Sequence, residues 1–496
     1  MLYTSTRDKS VSVSGAQAIA DGISMDGGLY VPSSFPNITA DELGDFCSKT
    51  YSERAAYILE KFLGFGYDTI LDFANKAYSR FDNVDEPCPL VEIDESTFIL
   101  ELSHGPTLAF KDIALTLLPY LLTKSNEIID KKDKTLILVA TSGDTGKAAL
   151  EGFKNVEGTD IIVFYPEDGV SVMQKLQMQT QEGDNVYVCG INGNFDDAQK
   201  AVKHIFTSDT MKNSLKELGY SLSSANSINW GRLVPQIVYY FSAYVDLVSN
   251  GNISLGDKIN FAVPCGNFGN ILAGYYAKLI GLPINKLICA SNENKVLTDF
   301  FNTGVYDVNR PFHKTISPSM DILISSNLER LLFEMSGRNP EFVNEAMQGL
   351  SDNGKYKVDL KLLDDLGIEA GFANESDTKM AIDCFFDNHN YPLDTHTAVA
   401  VTVYNDYVAR TGDETPTVII ATASPFKFPV DVYNALSHES VKDDFAAAKK
   451  LKYISDIDIP QQIQSLLIKP IIHNNVINKD IIDAAVLGYI RGKYGK

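Results

Sequence analysis

The sequence is poor in cysteine, and none of the cysteines is spaced to act in a pair. The six, Cys47, Cys88, Cys189, Cys265, Cys289 and Cys384, are scattered without any CxxC spacing, which excludes a disulfide framework and a zinc ribbon. Most lie in apolar runs such as 186–189 and 287–290, where a thiol packs as a small core residue. Long hydrophobic runs are missing too. Residues 1–10 read MLYTSTRDKS, which is no secretory leader, and no window reaches the ~18 uninterrupted apolar residues of a membrane span. A cytoplasmic protein without a membrane partner is expected. Basic charge is in deficit: 64 acidic residues face 43 lysines and arginines, a net charge of −21. A nucleic-acid partner needs the opposite balance. The absence of repeats and of low-complexity stretches rules out solenoid, fibrous and disordered chains.

What the 496 residues do contain, 45% hydrophobic and 22% charged, suffices for roughly three domains at ~150 residues each. Residues 1–95 read as a mainly helical domain, with apolar residues recurring at three and four over 52–63. The acidic, proline-bearing run 82–89 closes it. Beyond it, β-branched runs at 97–100, 135–140, 160–164, 185–188, 259–263, 286–289 and 417–421 alternate with helix-length segments such as 195–206 and 233–248. Strands buried on both faces and joined by crossover helices have this pattern. The fold class is therefore α/β, with two open, mostly parallel sheets. Ligands of such sheets settle at the carboxyl ends of the strands, so the turns there hold the chemistry.

Four turns stand out. After 136–140 comes Thr141-Ser-Gly-Asp-Thr-Gly-Lys147, which superficially suggests a nucleotide P-loop. Thr141 replaces its opening glycine, however, and Ala148 its closing hydroxyl. What remains is a hydroxyl-rich turn at a helix N-terminus, either an anion site or an ordinary turn capped by Ser142 or Thr145. After 261–264 comes Cys265-Gly-Asn-Phe-Gly-Asn270, where two glycines let the backbone close around a phosphate; plain turn chemistry is the alternative. The third segment, Glu101 to Asp112, places Lys111 between Phe110 and an apolar helix, so its amine is partly desolvated and its charged form disfavoured. A solvated surface lysine is the other reading. The fourth turn follows 417–421 and offers the hydroxyl of Thr422. A buried lysine for an aldehyde, combined with a glycine turn for a phosphate, describes a site for pyridoxal phosphate.

In this order the segments resemble the threonine synthase family, pyridoxal-phosphate enzymes of the tryptophan-synthase β-like fold type. The resemblance runs from Ser5-Thr-Arg7 and Asp26 to Pro32, through His104-Gly-Pro-Thr-Leu-Ala-Phe-Lys-Asp112, Ser142 to Gly146, Asn226-Ser-Ile-Asn-Trp-Gly-Arg232 and Gly266-Asn-Phe-Gly269, to Ala421-Thr-Ala423. The long N-terminal region is similar to the fungal and bacterial branch, which implies no regulatory S-adenosylmethionine site.

The resemblance implies a small α/β domain at 130–215 and a large cofactor-binding domain from 96–129 and 216–496. It implies that Lys111 attaches pyridoxal 5'-phosphate and is the catalytic residue. Gly266, Asn267, Phe268, Gly269 and Asn270 would cradle the cofactor phosphate, Thr422 would face the pyridine nitrogen, and Asp144 would lie near the ring hydroxyl. A carboxylate there needs protonation or compensation. The implied substrate is O-phosphohomoserine, its phosphate held by Arg232 with Ser142, Thr145, Lys147 and Asn229. The implied reaction makes threonine and inorganic phosphate by γ-elimination and β-addition; a lyase or a serine/threonine dehydratase of the same fold is the alternative. His104 reads as a general base or a positioning residue, and His396 as core or surface. Ser103, Ser424 and Asn270 depart from common family residues. No metal is implied, and a monomer or small homo-oligomer is expected. The smaller domain is expected to close when substrate binds.

Overall fold

The structure, a computed structural model, describes residues 1–141, 143–168 and 170–494. Its larger sheet has six strands in the order Ile368–Phe372, Ile284–Ser291, Ile259–Pro264, Thr417–Ala421, Thr97–Glu101, Leu90–Glu92. All neighbours run parallel except the last pair. Central strands such as Ile259–Pro264 are buried at every residue, which is why they read as continuous apolar runs and not as alternating ones. The smaller sheet is wholly parallel, with five strands in the order Val476–Asn478, Val186–Asn192, Thr159–Pro166, Lys134–Ala140, Tyr220–Ser223.

The smaller sheet does not stop at residue 215, the boundary expected from sequence. It continues to Ser223 and takes an edge strand from Val476–Asn478. The helix Ile482–Tyr494 also packs there, its Ile482, Val486 and Ile490 buried among Leu136, Ile162 and Phe164. The boundary at 95 is late as well, since Leu90–Glu92 already pairs with Thr97–Glu101. The first 95 residues are mainly helical but also form a three-stranded antiparallel sheet from Leu2–Ser5, Val13–Ser14 and Tyr30–Pro32.

The helix Tyr51–Leu63 begins at Thr50, whose side chain and Glu53 cap each other reciprocally, and it ends at Gly64 in the left-handed region. Its Ile58, Leu59 and Phe62 are fully buried in the same core as the helix Trp230–Ser249. Arg54 pins the two together through Asp246 at 2.8 Å. The N-terminal region thereby buttresses the helix that carries Arg232. Among the described residues no helix is long and apolar enough to cross a membrane.

Candidate active site

Lys111 is the first residue of the short helix Lys111–Leu115 and is 8% exposed. Burial lowers the pKa of its amine, with Lys427 and Arg232 adding to the effect and Asp144 opposing it. The amine lies 3.4 Å from Asp144 Oδ2 and 3.2 Å from Ser319 Oγ. The segment before it is held by Asp112, whose buried carboxylate accepts from the Thr107 N–H at 2.8 Å and the Thr107 hydroxyl at 2.6 Å. The Thr422 turn is tied to the same place. Thr422 accepts from the Phe110 N–H at 2.9 Å, and Ala423 bridges to Ala109. Two strand ends far apart in sequence thus present Lys111 and Thr422 side by side.

Asp144 opens the helix Asp144–Phe153. Burial pushes its carboxyl up, but the charges of Lys427 and Lys111, with help from the Ser319 hydroxyl, more than offset this and hold it well below the usual carboxylate range. Lys427 is the main compensator, at 3.2 Å from Asp144 Oδ1 and 1% exposed. It also donates to the Thr107 carbonyl at 2.6 Å. The compensation that sequence reasoning demanded for a carboxylate at 144 therefore comes from the Ser424-Pro-Phe-Lys427 segment.

The Gly266 to Asn270 loop ends the strand Ile259–Pro264 and starts the helix Gly269–Leu279. Phe268 adopts φ +63° to aim the chain into that helix. Gly266 has no room for a side chain: a Cβ there would sit 2.7 Å from the Ser319 carbonyl oxygen. Asn327 fixes the loop from outside, its Nδ2 donating to the Asn267 carbonyl at 3.1 Å. Asn327 is in turn held by Arg330, which also donates to the Tyr30 carbonyl at 3.0 Å. Thr6 and Arg7 grip the adjacent Glu329 at 2.6 and 2.7 Å. The N-terminal motifs are thus a brace for this loop.

Asn270 accepts from the Tyr239 and Tyr240 hydroxyls at 2.6 and 2.8 Å, while its Nδ2 is buried without a partner. An unused donor in the first turn of a helix, beside a loop of backbone N–H groups, is what a phosphate would complete. With the desolvated amine of Lys111 for an aldehyde, these residues fit pyridoxal phosphate.

Arg232 lies in the first turn of the helix Trp230–Ser249 and is 6% exposed. Burial lowers its guanidinium to about 10. Its side chain donates to the Ala225 carbonyl at 2.8 Å, and no carboxylate pairs with it among the described residues. A buried cation without a counter-ion, felt electrostatically by Lys111, marks a place for an anionic ligand.

Other expected anion-binding side chains are otherwise engaged. Asn229 is fully buried and caps its helix. Its Nδ2 donates to the Ile19 and Ser224 carbonyls and its Oδ1 accepts from the Gly231 N–H at 2.9 Å. That assignment is corrected: both donors are already used, so Asn229 shapes the turn. Lys147 is buried and paired with Glu151 at 2.9 Å, with Gln181 as a further acceptor, an internal ion pair and not an open anion site. Thr145 is half-buried beside Asp144. Ser142 lies outside the described residues. His104 pairs with Glu101 at 2.7 Å and with Asp82 at 3.5 Å, partners that raise its pKa.

Sequence reasoning missed Ser319 altogether and did not place Lys427 or His396 at the site. Ser319 lies in a polar loop 208 residues from Lys111, and nothing local to it signals that contact.

Three family models cover most of the chain: "Threonine synthase N terminus" over residues 2–78, "Pyridoxal-phosphate dependent enzyme" over 85–423 and "Threonine synthase, C-terminal" over 397–479. A threonine synthase of Pseudomonas aeruginosa is 38% identical over 445 residues, covering 88% of this chain and 90% of that protein. The threonine synthase-like 1 protein of Homo sapiens is 40% identical over 442 residues; the match takes in 86% of this chain but spans only 58% of that longer relative. Among solved structures, the pyridoxal-phosphate-bound threonine synthase of Brucella melitensis superposes with a TM-score of 0.88 at 36% identity, covering 99% of both chains. By these matches the chain, whose Lys111 and Gly266 loop have the chemistry to fit the cofactor, belongs to the threonine synthase family of pyridoxal-phosphate enzymes.

Proposed function

We propose that the protein converts O-phospho-L-homoserine and water to L-threonine and inorganic phosphate. The observation that carries this reading is Arg232, a buried guanidinium with no carboxylate partner, close enough to Lys111 to depress its pKa. A serine or threonine dehydratase has no substrate phosphate to hold at such a place; an O-phosphorylated substrate does.

When bound, pyridoxal phosphate supplies an aldehyde for the substrate amine and a ring that stores electrons from broken C–H bonds. The remaining work falls to the chain. The Gly266 to Asn270 loop and the helix it opens hold the cofactor phosphate through backbone N–H groups, with Asn270 Nδ2 as a further donor. Thr422 offers the pyridine nitrogen a neutral hydroxyl, and Asp144 stays ionised beside Lys427. Lys111, its amine biased toward the neutral form by burial, takes the proton from Cα of the substrate and returns protons later. Arg232 holds the departing phosphate and offsets its developing charge, with the Thr145 hydroxyl as a further donor.

The test is to incubate purified protein with O-phosphohomoserine and quantify phosphate and threonine in parallel. Equal amounts of the two are expected. Phosphate accompanied by a keto acid would replace this reading with a lyase, and release of neither would remove it.

A further inference from the structure

Ser319 occupies the short turn Pro318–Met320, and its three polar groups point at three different parts of the site. Its Oγ lies 3.2 Å from Lys111 Nζ and 3.0 Å from Asp144 Oδ2. Asp144 is ionised and can only accept. The single hydroxyl hydrogen therefore goes to Asp144, which turns an oxygen lone pair toward the Lys111 amine. The Ser319 N–H donates to His396 Nε2 at 3.1 Å. A ring nitrogen that accepts carries no proton, so the imidazole is protonated at Nδ1, which donates to Asp394 Oδ1 at 3.1 Å. Asp394 is itself the N-cap of the helix Thr395–Thr411, so the tautomer is fixed by a rigid element. The Ser319 carbonyl fills the space where Gly266 lacks a side chain.

The loop that carries Ser319 is anchored independently. Asp321 accepts from the Thr315 N–H at 2.9 Å, the Thr315 hydroxyl at 2.7 Å and Asn292 at 2.8 Å. His396 and Asp394 are 3% and 2% exposed, so the relay is shielded from water.

We infer that Ser319 is a positioning residue for Lys111: the Asp394 to His396 pair holds its backbone, and its hydroxyl orients the amine for attack on the cofactor aldehyde. The inference rests on the pyridoxal-phosphate reading of Lys111. Once deprotonated for attack, the amine can give one N–H to Ser319 Oγ and the other to Asp144 Oδ2 at 3.4 Å, which leaves one direction for its lone pair, and the contact of Ser319 with Gly266 ties that direction to the phosphate loop. Aldehyde and amine then meet in register.

The test strips the cofactor from the protein and follows recapture of pyridoxal phosphate by its yellow absorbance, from neutral to alkaline pH. The charged groups facing Lys111, namely Asp144, Lys427 and Arg232, remain in every variant. Ser319→Ala is expected to slow recapture by about tenfold at neutral pH and to displace the pH midpoint of the reaction, with thermal unfolding of the stripped protein unchanged. His396→Gln, whose amide oxygen can accept where Nε2 does, should stay within about threefold of the parent; His396→Leu should match Ser319→Ala. Recapture by Ser319→Ala at the parental rate with an unmoved pH midpoint would overturn the inference. So would equal impairment of the Gln and Leu variants. A parent protein that never turns yellow would instead overturn the cofactor reading, and this inference with it.

Discussion

Arg232 separates stability from function at the scale of one residue. Holding a guanidinium in the interior without a counter-ion costs stability in the ligand-free protein. Arg232→Gln is therefore expected to leave the urea midpoint unchanged or raised while the KM for the phosphorylated substrate rises by about 10- to 100-fold, the loss of one or two charge-assisted hydrogen bonds. An unaltered KM would remove Arg232 from the substrate site. Glu334 illustrates the same cost for an acid. Burial, only partly opposed by Arg338, raises its carboxyl from 4.5 to about 7, and its Oε1 has no partner. The folded protein keeps a proton there that the unfolded chain gives up. The group's contribution is thus complete below pH 4.5 and is lost as the pH climbs through about 7. Glu334→Gln should be more stable than the parent well above that pH, by about 3 kcal/mol, and no different near pH 4.5. Urea titrations of both proteins at the two pH values decide it.

Among the elements, the helices Lys111–Leu115 and Asp144–Phe153 meet at Gly152. A Cβ on Gly152 would come 2.0 Å from the Leu115 carbonyl oxygen, so the two backbones are as close as they can be. Gly152→Ala must push them apart, at about 1–3 kcal/mol, and that shift separates Asp144 from Lys111. The expected signature is a fall in kcat beyond what lost stability explains; normal turnover in the folded fraction would show that the spacing is immaterial. Elements of this kind were legible in sequence where burial is two-sided: the runs at 135–140, 259–263 and 417–421 all proved to be strands. Edge strands were not. Ile368–Phe372 is nowhere fully buried and Val476–Asn478 is largely exposed, so neither carries an unbroken apolar pattern. At the site the contrast has a different cause. Lys111 and the Gly266 loop are written in contiguous motifs, whereas Ser319, 175 residues from Asp144, gains its role only through tertiary contact. Asn229 looked like a ligand because its motif surrounds Arg232, but its amide supports the turn instead.

For the whole molecule, the division into two sheets leads to the expectation of relative motion on ligand binding. Glu151 links the smaller sheet's first crossover helix to Arg80 of the N-terminal region at 2.7 Å, and the Met173 N–H donates to Asp444 at 3.1 Å. Asp144, on the same helix as Glu151, adds ties to Lys111, Lys427 and Ser319, and a division into two sheets permits closure about such ties over a bound substrate. Small-angle scattering with a non-hydrolysable phosphonate analogue should show a smaller radius of gyration than the substrate-free protein. Identical compactness in the two states would count against closure.

The same topology bears on how the chain is made. The outer neighbour of the strand Val186–Asn192 is Val476–Asn478, with Asn192 and Asn478 separated by 286 residues. At roughly 5–20 residues per second on the ribosome, about 15–60 s pass between their emergence. Throughout that interval the nascent sheet presents a bare row of backbone donors and acceptors to its surroundings. The yield of the protein is therefore expected to depend on the pace of synthesis over this stretch as well as on how stable the finished fold becomes.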